Sequence, residues 1–375
     1  MMNLSFEAFA KDKNGTWYLG YDHNGLYYYD NNSDDIRFIG KIPDEKVYEI
    51  RLYSSMVLID DLLIMIPFSA KEICVYEKTS GCFTKIPVRK TCDFDYKASN
   101  ADDNAKFWCS IVFDKKVYMF PHNYSALLIY DVESRQIEYM TELVKSMDEI
   151  IKNDQPYVTD LYNEGDIVFC SCANSNSYLV VDISSMSYVI NSISTDVNGF
   201  NGIICEGEDV WLAPRIGKKI VKYNQRTKRI EEFFDYPEGF EGEAFLFHTF
   251  FKTLKGILLV PDFSNKFFLF DESTNKFKDV KYLSEIINKK RTDGAHATDI
   301  TMAYSYDGNC EIRFISGKDN KLYVVNLESE QVSSHEFICK DSYPDQKEII
   351  SRIVMSNGII TESERLGLKD FIMMV

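Results

Sequence analysis

One short pattern recurs seven times along the chain, and it limits the possible folds more than any other feature. Each copy is an apolar run that ends in Asp, Glu or Asn, followed by a hydroxyl residue three positions later and an apolar residue six positions later. The closing residues are Asp30, Glu77, Asp131, Asp182, Asn224, Asp271 and Asn326. So regular a spacing indicates a repeat architecture.

The matching positions have the chemistry of a β-hairpin turn. A carboxylate or amide oxygen accepts hydrogen bonds from the backbone amides of a turn, and a hydroxyl two or three residues later can do the same. The apolar residue then begins the returning strand, as in LYYYDNNSDDI between Leu26 and Ile36. We therefore interpret the closing residues as turn residues and not as catalytic groups.

Two more strands, joined by a tight turn, precede each closing residue. Examples are AFAKDKNGTWYLG early in the chain and FFKTLKGILLV later. Each unit is therefore a four-stranded antiparallel meander, and the units repeat every 42 to 55 residues. Some strands, such as LLIMI, are apolar throughout, so both faces of the sheet must be covered. Four-stranded sheets of this period pack radially as the blades of an all-β propeller.

The mean repeat length predicts the number of blades. At about 49 residues per repeat, the closing residue after Asn326 falls near residue 375. The strand pair IVMSNGIITE and the segment LKDFIMMV then form an eighth unit that lacks its outer strand. We predict one propeller domain over residues 1–375 with eight repeats and two short helices in the interblade loops. Seven blades are the alternative.

Blade one contains a more specific motif, in which an acidic turn with Gly is followed by Trp, Gly-Leu and Tyr-Asp. Its residues are Asp12, Gly15, Trp17, Gly25, Leu26, Tyr29 and Asp30. This motif resembles the propeller repeats of bacterial two-component regulators. The resemblance implies a repeat protein with a kelch-like or WD-like superfold. The chain has neither the Gly-Gly dipeptide of classical kelch repeats nor the Trp-Asp dipeptide of WD repeats.

Composition and charge disfavour several classes of function. The formal net charge is −16, and so acidic a chain repels the phosphate backbone of nucleic acids. No apolar run approaches the roughly 18 residues that a membrane span needs. The amino-terminal sequence also lacks a signal-peptide pattern. We therefore expect a cytoplasmic monomer with no membrane span, and the scattered cysteines indicate free thiols.

Motifs for metal, nucleotide or hydrolytic chemistry do not stand out. The five histidines lie in different blades or connections, and none forms a closely spaced pair. No glycine-rich loop opens a helix, and no Gly-x-Ser-x-Gly turn is present. We therefore expect no metal and no cofactor, leave the catalytic residues unassigned, and favour a protein that is not an enzyme.

One face of the ring gathers polar residues that could bind a ligand. Aligning the repeats places a column at the entrance of the central channel, and its members are Glu7, Ser54, Trp108, Thr159, Asn201, His248 and Ala303. Ordinary solvation of a wet entrance accounts for this polarity. The alternative is a carbohydrate-binding or carbohydrate-active site, and the candidate residues are Glu7, Trp108, Thr159, Asn201, His248, His122, Tyr124, Asn174 and Arg215. If that site were catalytic, Glu7 and Asp262 would be the candidate carboxylates.

Long insertions on the same face favour a function in binding a partner. The segments 88–106, 141–155 and 281–294 are unequal in length, and two of them have apolar residues at helical spacing. These helices either cap the ring or form a docking surface. A basic cluster, Lys289, Lys290 and Arg291, lies within the last insertion, although unrelated solvated charges also explain it. Because unequal loops on a regular scaffold often mediate binding, we predict a non-catalytic scaffold for a protein partner or a glycan, with this triad on its rim.

Overall fold

The computed structural model describes residues 6–21, 23–47, 49–150, 157–173, 175–242, 246–262, 264–287, 304–306, 310–316 and 321–337. These residues form seven four-stranded antiparallel sheets, each in meander order. The predicted all-β propeller is therefore confirmed. It has seven blades, the alternative, and the expectation of eight was wrong. The segments assigned to an eighth unit, 353–362 and 368–375, lie outside the described residues.

The first four blades each consist of four consecutive strands. Blade one contains β1 Phe6–Asp12, β2 Gly15–Gly20, β3 Leu26–Asp30 and β4 Asp35–Gly40. Blade two contains β5 Tyr53–Ile59, β6 Leu62–Pro67, β7 Glu72–Glu77 and β8 Cys82–Pro87. Blade three contains β9 Phe107–Phe113, β10 Lys116–Pro121, β11 Leu127–Asp131 and β12 Gln136–Met140. Blade four contains β13 Val158–Glu164, β14 Ile167–Cys172, β15 Ser177–Asp182 and β16 Ser187–Ser192.

The last three blades have the same order. Blade five contains β17 Phe200–Glu206, β18 Asp209–Pro214, β19 Ile220–Asn224 and β20 Ile230–Phe233. Blade six contains β21 Phe247–Thr253, β22 Gly256–Pro261, β23 Phe268–Asp271 and β24 Lys276–Asp279. Blade seven contains β25 Tyr304–Tyr306, β26 Glu311–Ser316, β27 Lys321–Asn326 and β28 Gln331–Glu336. From blade one to blade six, the first strands of successive blades contact one another and form the wall of the central channel.

The repeated turn has the predicted chemistry. The Asp131 carboxylate accepts the backbone N–H of Ser134 at 2.8 Å, and Asn224 and Asn326 accept the equivalent bond at the same distance. The residue four positions after each closing residue has φ between 53° and 69°, and these residues are Asp34, Gly81, Arg135, Met186, Lys228, Asn275 and Glu330. A left-handed residue therefore ends the turn in every blade, although only one of the seven is glycine.

Packing between the first and last blades closes the ring at seven. Among the described residues, the buried apolar side chains form clusters between each pair of successive blades. A further cluster joins Ile315 and Leu322 of blade seven to side chains of blade one. Phe337, directly after β28, has its ring centroid 5.3 Å from that of Phe6 and 5.1 Å from that of Tyr18. This direct contact leaves no space for another blade.

The insertions that the structure describes cap the ring. Helix α1, Thr141–Asp148, buries Leu143, Val144 and Met147 in the cluster between blades three and four. The Asp148 carboxylate accepts the Tyr157 hydroxyl at 2.7 Å and the backbone N–H of Ser99 at 3.0 Å. These bonds hold α1 against the insertion 88–106 and against blade four. Because its apolar side chains are buried, the apolar stripe of α1 packs inside the protein.

The second predicted helix is also present. Helix α2 spans Lys281–Ile287, and Leu283 is buried in the cluster between blades six and seven. Within the part of the chain that the structure describes, no helix is long and apolar enough to cross a membrane.

Candidate functional site

The inner strands of blades one to six share a β-bulge where the sequence predicted the polar column. In blade four, Val158 pairs with Cys172 and Asp160 pairs with Ser171, so Thr159 is an extra residue between them. The same extra position is occupied by Ser54, Asn201 and His248, and the register also shifts near Glu7 and Trp108. A bulge releases its extra residue from the ladder and re-aims the side chain. The column is thus a ring of bulge residues at the entrance of the channel.

Three bulge residues connect neighbouring blades through hydrogen bonds. Ser54 Oγ donates to the Phe107 carbonyl oxygen at 2.6 Å, and Thr159 Oγ1 donates to that of Phe200 at 2.8 Å. Asn201 Nδ2 donates to the carbonyl oxygen of Phe247 at 3.2 Å. Each acceptor is the first residue of the next inner strand. The polar groups of these three bulge residues therefore join blades.

The remaining residues that the sequence predicted for the ligand site lie either in the packed core or at the entrance of the channel, where the structure describes them. Tyr124 is fully buried, and its hydroxyl donates to the carbonyl oxygen of Arg89, so Tyr124 lies in the core and not at the entrance. Five candidates lie at the entrance with Asp262, and these are Glu7, Trp108, His122, His248 and Arg215. Three residues that the sequence did not predict, Tyr21, Arg51 and Phe68, lie with them. Asn174, Ala303 and the basic triad Lys289, Lys290 and Arg291 lie outside the described residues. We call the entrance the channel mouth.

Arg51 lies at the centre of the channel mouth, although the sequence analysis did not select it. Its Nε lies 2.6 Å from the Glu7 Oε1. Its guanidinium carbon lies 4.3 Å from the ring centroid of Trp108, 5.2 Å from that of Tyr21 and 5.3 Å from that of Phe68. A guanidinium stacked on aromatic rings and paired with a carboxylate is held by cation–π and ionic contacts together.

The ion pair between Arg51 and Glu7 is largely removed from water. The Glu7 side chain is 6% exposed and that of Arg51 is 19% exposed. Burial alone lowers the pKa of Arg51, and the nearby Glu7 carboxylate more than offsets this effect, so the pKa of Arg51 is raised. Arg51 also has φ of 57°, a left-handed conformation that is costly for a residue with a Cβ.

Two histidines flank Trp108 and are neutral at neutral pH. The His122 ring is stacked on the Trp108 indole with centroids 5.2 Å apart, and the His248 ring lies 6.3 Å away. The pKa of His122 is lowered to about 3 by burial and then by the charges of Arg215 and Arg51, and the pKa of His248 is lowered to about 4 by burial and then by the charge of Arg51. His122 Nδ1 lies 3.0 Å from the Val158 carbonyl oxygen. Because a carbonyl only accepts, Nδ1 carries the proton and Nε2 is the acceptor nitrogen.

Arg215 and Asp262 complete the channel mouth from the opposite blades. They directly follow Pro214 and Pro261, which end β18 and β22, as Phe68 and His122 follow Pro67 and Pro121. Burial lowers the pKa of Arg215, and the Asp262 charge opposes this shift. The Arg215 charge also lowers the pKa of His122. Among the described residues, the channel mouth therefore gathers two arginines, Arg51 and Arg215, and two carboxylates, Glu7 and Asp262.

The channel continues below this cluster. A cavity of about 490 Å³ is lined by the inner strands of blades one and two and by Ser110 of blade three. Farther round the wall, the Asp160 carboxylate accepts the Thr249 hydroxyl at 2.9 Å and the backbone N–H of Leu161 at 2.9 Å. Burial raises the pKa of Asp160 to about 7. Among the described residues, no group of three His, Cys, Asp or Glu side chains is arranged to hold a metal.

Some of the channel-mouth residues that were not predicted could have been found from the sequence. The first residue after each second strand is Tyr21, Phe68, His122, Ala173, Arg215 or Asp262 in blades one to six. Aligning this position across the repeats would have given a second column at the channel mouth. Arg51 belongs to an interblade connection of variable length, so no repeat position marks it. Its partners come from three blades and meet only in the folded ring.

Comparisons with known proteins identify the fold and do not assign a family. No protein-family model and no curated protein matches the chain. Virginiamycin B lyase from Staphylococcus aureus is similar in structure, with 14% identity, a TM-score of 0.59, and coverage of 86% of this chain and 94% of that one. At so low an identity the likeness extends to the fold alone.

Two further bacterial structures share the architecture. PorZ, a surface component of the type-IX secretion system of Porphyromonas gingivalis, has 11% identity and a TM-score of 0.55 over 91% of this chain. The extracellular domain of the putative one component system BT4673 from B. thetaiotaomicron has 13% identity and a TM-score of 0.51 over 92% of this chain. This chain spans only 39% of PorZ and 40% of the BT4673 domain. The resemblance to regulator repeats thus stays a resemblance in architecture.

Proposed function

We propose that this protein is a non-catalytic binding module whose ligand site is the channel mouth. The observation that supports the proposal is the stacked group of Arg51, Trp108 and His122, which is partly exposed and is fixed by buried partners. Pockets that bind small ligands combine apolar walls with a few convergent polar groups. The left-handed backbone of Arg51 also fits this proposal, because strained residues concentrate at ligand sites.

Binding fits these side chains better than catalysis does. Glu7, one of the two candidate carboxylates, is paired with Arg51 and is therefore poorly placed to act as an acid or a base. Carbohydrate recognition is the weaker form of the proposal, since a sugar needs an open aromatic face. Both Arg51 and His122 already stack on Trp108. Virginiamycin B lyase has been solved with quinupristin, so a propeller of similar shape accommodates a ligand.

A segment of a protein partner is the second candidate occupant of the channel mouth. Ile50 is 49% exposed and Ile216 is 59% exposed, and they directly adjoin Arg51 and Arg215 in sequence. Exposed apolar residues beside a polar pocket are typical of binding surfaces. Two other features that could have served docking are already engaged within the protein. The basic residue Lys219 pairs with Asp196 and Glu232, and helix α1 is packed into the core. Docking on the rim through Lys289, Lys290 and Arg291 stays a prediction.

Tryptophan fluorescence tests the proposed site directly. Trp108 is the most exposed of the three tryptophans, because Trp17 is 7% exposed and Trp211 is 1% exposed. A ligand in the channel mouth should therefore protect Trp108 from quenching by acrylamide and raise the melting temperature. A panel of sugars, organic acids, phosphate esters, amines and short peptides supplies the probes.

Two variants control this experiment. The Trp108→Phe variant should lose the protection signal, whereas Trp211→Phe, a substitution at a buried site in blade five, should keep it. The proposal fails if no member of the panel protects Trp108 or shifts the melting temperature. A ligand whose affinity is unchanged by Trp108→Ala and by Arg51→Gln would show instead that binding occurs elsewhere.

A further inference from the structure

We infer that the ligand of the channel mouth carries a carboxylate or phosphate group, which pairs with the two terminal nitrogens of Arg51. This inference rests on the proposed function and specifies the chemistry of the ligand. It follows from how the guanidinium is oriented, from the burial of the Arg51 side chain and from how its backbone is fixed.

The protein engages one edge of the Arg51 guanidinium and covers its faces. Within the described part of the chain, Glu7 is the one residue that accepts a hydrogen bond from the Arg51 side chain, at 2.7 Å from Nε to Oε2. The rings of Trp108, Tyr21 and Phe68 lie around the guanidinium plane. A guanidinium has five N–H donors, and four of them are on Nη1 and Nη2. The Nη edge is therefore the edge that can receive a ligand.

The chemistry of that edge selects an oxyanion. Two parallel N–H groups match the two oxygens of a carboxylate or phosphate, and such bidentate pairs are stronger and more directional than single hydrogen bonds. Because the Arg51 side chain is only 19% exposed, water screens the pairing less than it would on an open surface. A neutral ligand would satisfy the same donors with weaker bonds.

The charged side chains that the structure describes at the channel mouth balance in number, two arginines against two carboxylates, so their placement and not their sum bears on the ligand. Arg215 is a second cation at the channel mouth, and both His122 and His248 have pKa values lowered first by burial and then by nearby arginine charge. Glu7 and Asp262 are the opposing carboxylates whose charges act on Arg51. Glu7 is held against Nε, so its charge lies on the side of the guanidinium away from the Nη edge.

The backbone of Arg51 is fixed before any ligand binds. Its N–H donates to the Tyr21 carbonyl oxygen at 2.6 Å. Its own carbonyl oxygen accepts the Ser69 hydroxyl at 2.9 Å. Contacts from blades one and two thus hold Arg51 in its left-handed conformation. A receptor side chain that is already ordered loses less entropy when it binds.

Matched pairs of small molecules test the charge requirement. The probes are phenylacetate against phenylacetamide, glucuronate and glucose 6-phosphate against glucose, and acetate and inorganic phosphate alone, each titrated into the full chain with Trp108 emission as the signal. The anionic member of at least one pair should bind about tenfold more tightly than its neutral partner, as expected for charge-assisted bidentate bonds. A preference for phosphate or for carboxylate identifies the acid group, and either one supports the inference.

Arg51→Lys keeps the charge but removes the planar fork, so it should weaken binding of the anionic probe by about tenfold and binding of the neutral probe by much less. Arg89→Lys is the matched control, because Arg89 also stacks on two rings, Phe94 and Tyr139, away from the channel mouth. If Arg51→Lys does not fold, competition in the wild-type protein replaces it, and acetate but not acetamide should then displace phenylacetate.

The outcomes separate this inference from the proposed function. Neutral and anionic probes that bind equally at the channel mouth would overturn the inference and leave the binding function standing. An anion preference that persists in a folded Arg51→Lys variant would also overturn the assignment to Arg51. If no probe changes Trp108 emission, both proposals fail.

Discussion

Asp160 joins three blades across the wall of the channel. Asp160 belongs to blade four. Its carboxylate accepts the backbone N–H of Ile203 on blade five at 3.3 Å and also accepts the Thr249 hydroxyl on blade six. Gly202 makes room for it, since a Cβ there would lie 3.2 Å from the Ala213 Cβ and 3.6 Å from Asp160 Oδ2. Burial of this carboxylate raises its pKa to about 7 and links the stability of the ring to pH.

The sign of that linkage is a loss of stability as pH rises. Between about pH 4, the ordinary pKa of Asp, and about pH 7, the folded protein holds a proton on Asp160 that the unfolded chain has released. The contribution of Asp160 to stability therefore falls across this window. Asp160→Asn should flatten the fall, measured as the melting temperature of the variant relative to wild type at pH 5 and pH 8. Parallel pH profiles for the two proteins would contradict the raised pKa.

Thr249→Val provides a second test at the same residue. The Thr249 hydroxyl bonds the Asp160 carboxylate and lowers its pKa, against the larger effect of burial. Its removal should extend the loss of stability to higher pH. If Thr249→Val changed the melting temperature equally at every pH, the Thr249 bond would not act on the charged form of Asp160.

At the scale of the elements, the repeated turn uses a left-handed residue that is mostly not glycine. Left-handed conformations cost non-glycine residues roughly 1–2 kcal/mol because the Cβ approaches the following carbonyl oxygen. Arg135 is an exposed example with φ of 57°, whereas Gly81 occupies the same position in blade two with φ of 69°. The turn is therefore fixed by its hydrogen bonds and not by backbone preference.

Exchanging these two residue types gives a paired prediction. Arg135→Gly should stabilise the protein by about 0.5–1 kcal/mol, and Gly81→Ala should destabilise it by a similar amount. At Gly81 no atom lies closer than 3.9 Å to an added Cβ, so the loss would report backbone strain alone. Arg135→Ala is the control, because it removes the same side chain without relieving φ. Chemical denaturation supplies the free energies of unfolding, and a stability of Arg135→Gly no greater than that of Arg135→Ala would contradict the argument.

The bulge residues give a second prediction at this scale. Thr159→Val keeps the shape of the side chain but removes the bond to the Phe200 carbonyl oxygen, which should cost about 1–2 kcal/mol of unfolding free energy. Thr84→Val in the outer strand β8 is the matched control at an exposed site and should be near neutral. Equal effects of the two substitutions in denaturant titrations would mean that the bond between blades contributes nothing.

At the scale of the whole molecule, stability depends on closing the ring. Each blade buries its faces only against its neighbours, so opening one interface exposes two blades. Phe337 lies at the closing interface and packs on Phe6, Tyr18 and Tyr29. Phe277, in the interface of blades five and six, is buried to a similar extent. Comparing these two residues separates the effect of closure from that of ordinary packing.

Phe337→Ala and Phe277→Ala should each cost about 3–5 kcal/mol, the usual loss for a buried Phe. In Phe337→Ala, however, blade one should lose structure before blade five. Variants that retain only Trp17 or only Trp211 report these two blades by fluorescence. Their unfolding midpoints should separate in Phe337→Ala and coincide in Phe277→Ala. Coincident midpoints in both would show that closure adds no special cooperativity.

The sequence by itself determined the local structure of this protein. The strands, the repeated turn at residues such as Asp131 and Asn326, the all-β class and the radial packing of four-stranded blades were predicted, because they depend on neighbouring residues and on periodicity. Glu7, Trp108, His122, His248 and Arg215 were also predicted at the channel mouth.

Only the tertiary structure decided the blade number and the arrangement of the site. The repeat length gave eight units, but packing of Phe337 on Phe6 and Tyr18 closes the ring at seven. Thr159 and Asn201 were as good candidates as Trp108 until the bulges turned their side chains towards the next blade. Arg51 meets Glu7 and Trp108 from 44 and 57 positions away in sequence. Contacts between residues so distant form only when the blades pack, and no local pattern encodes them.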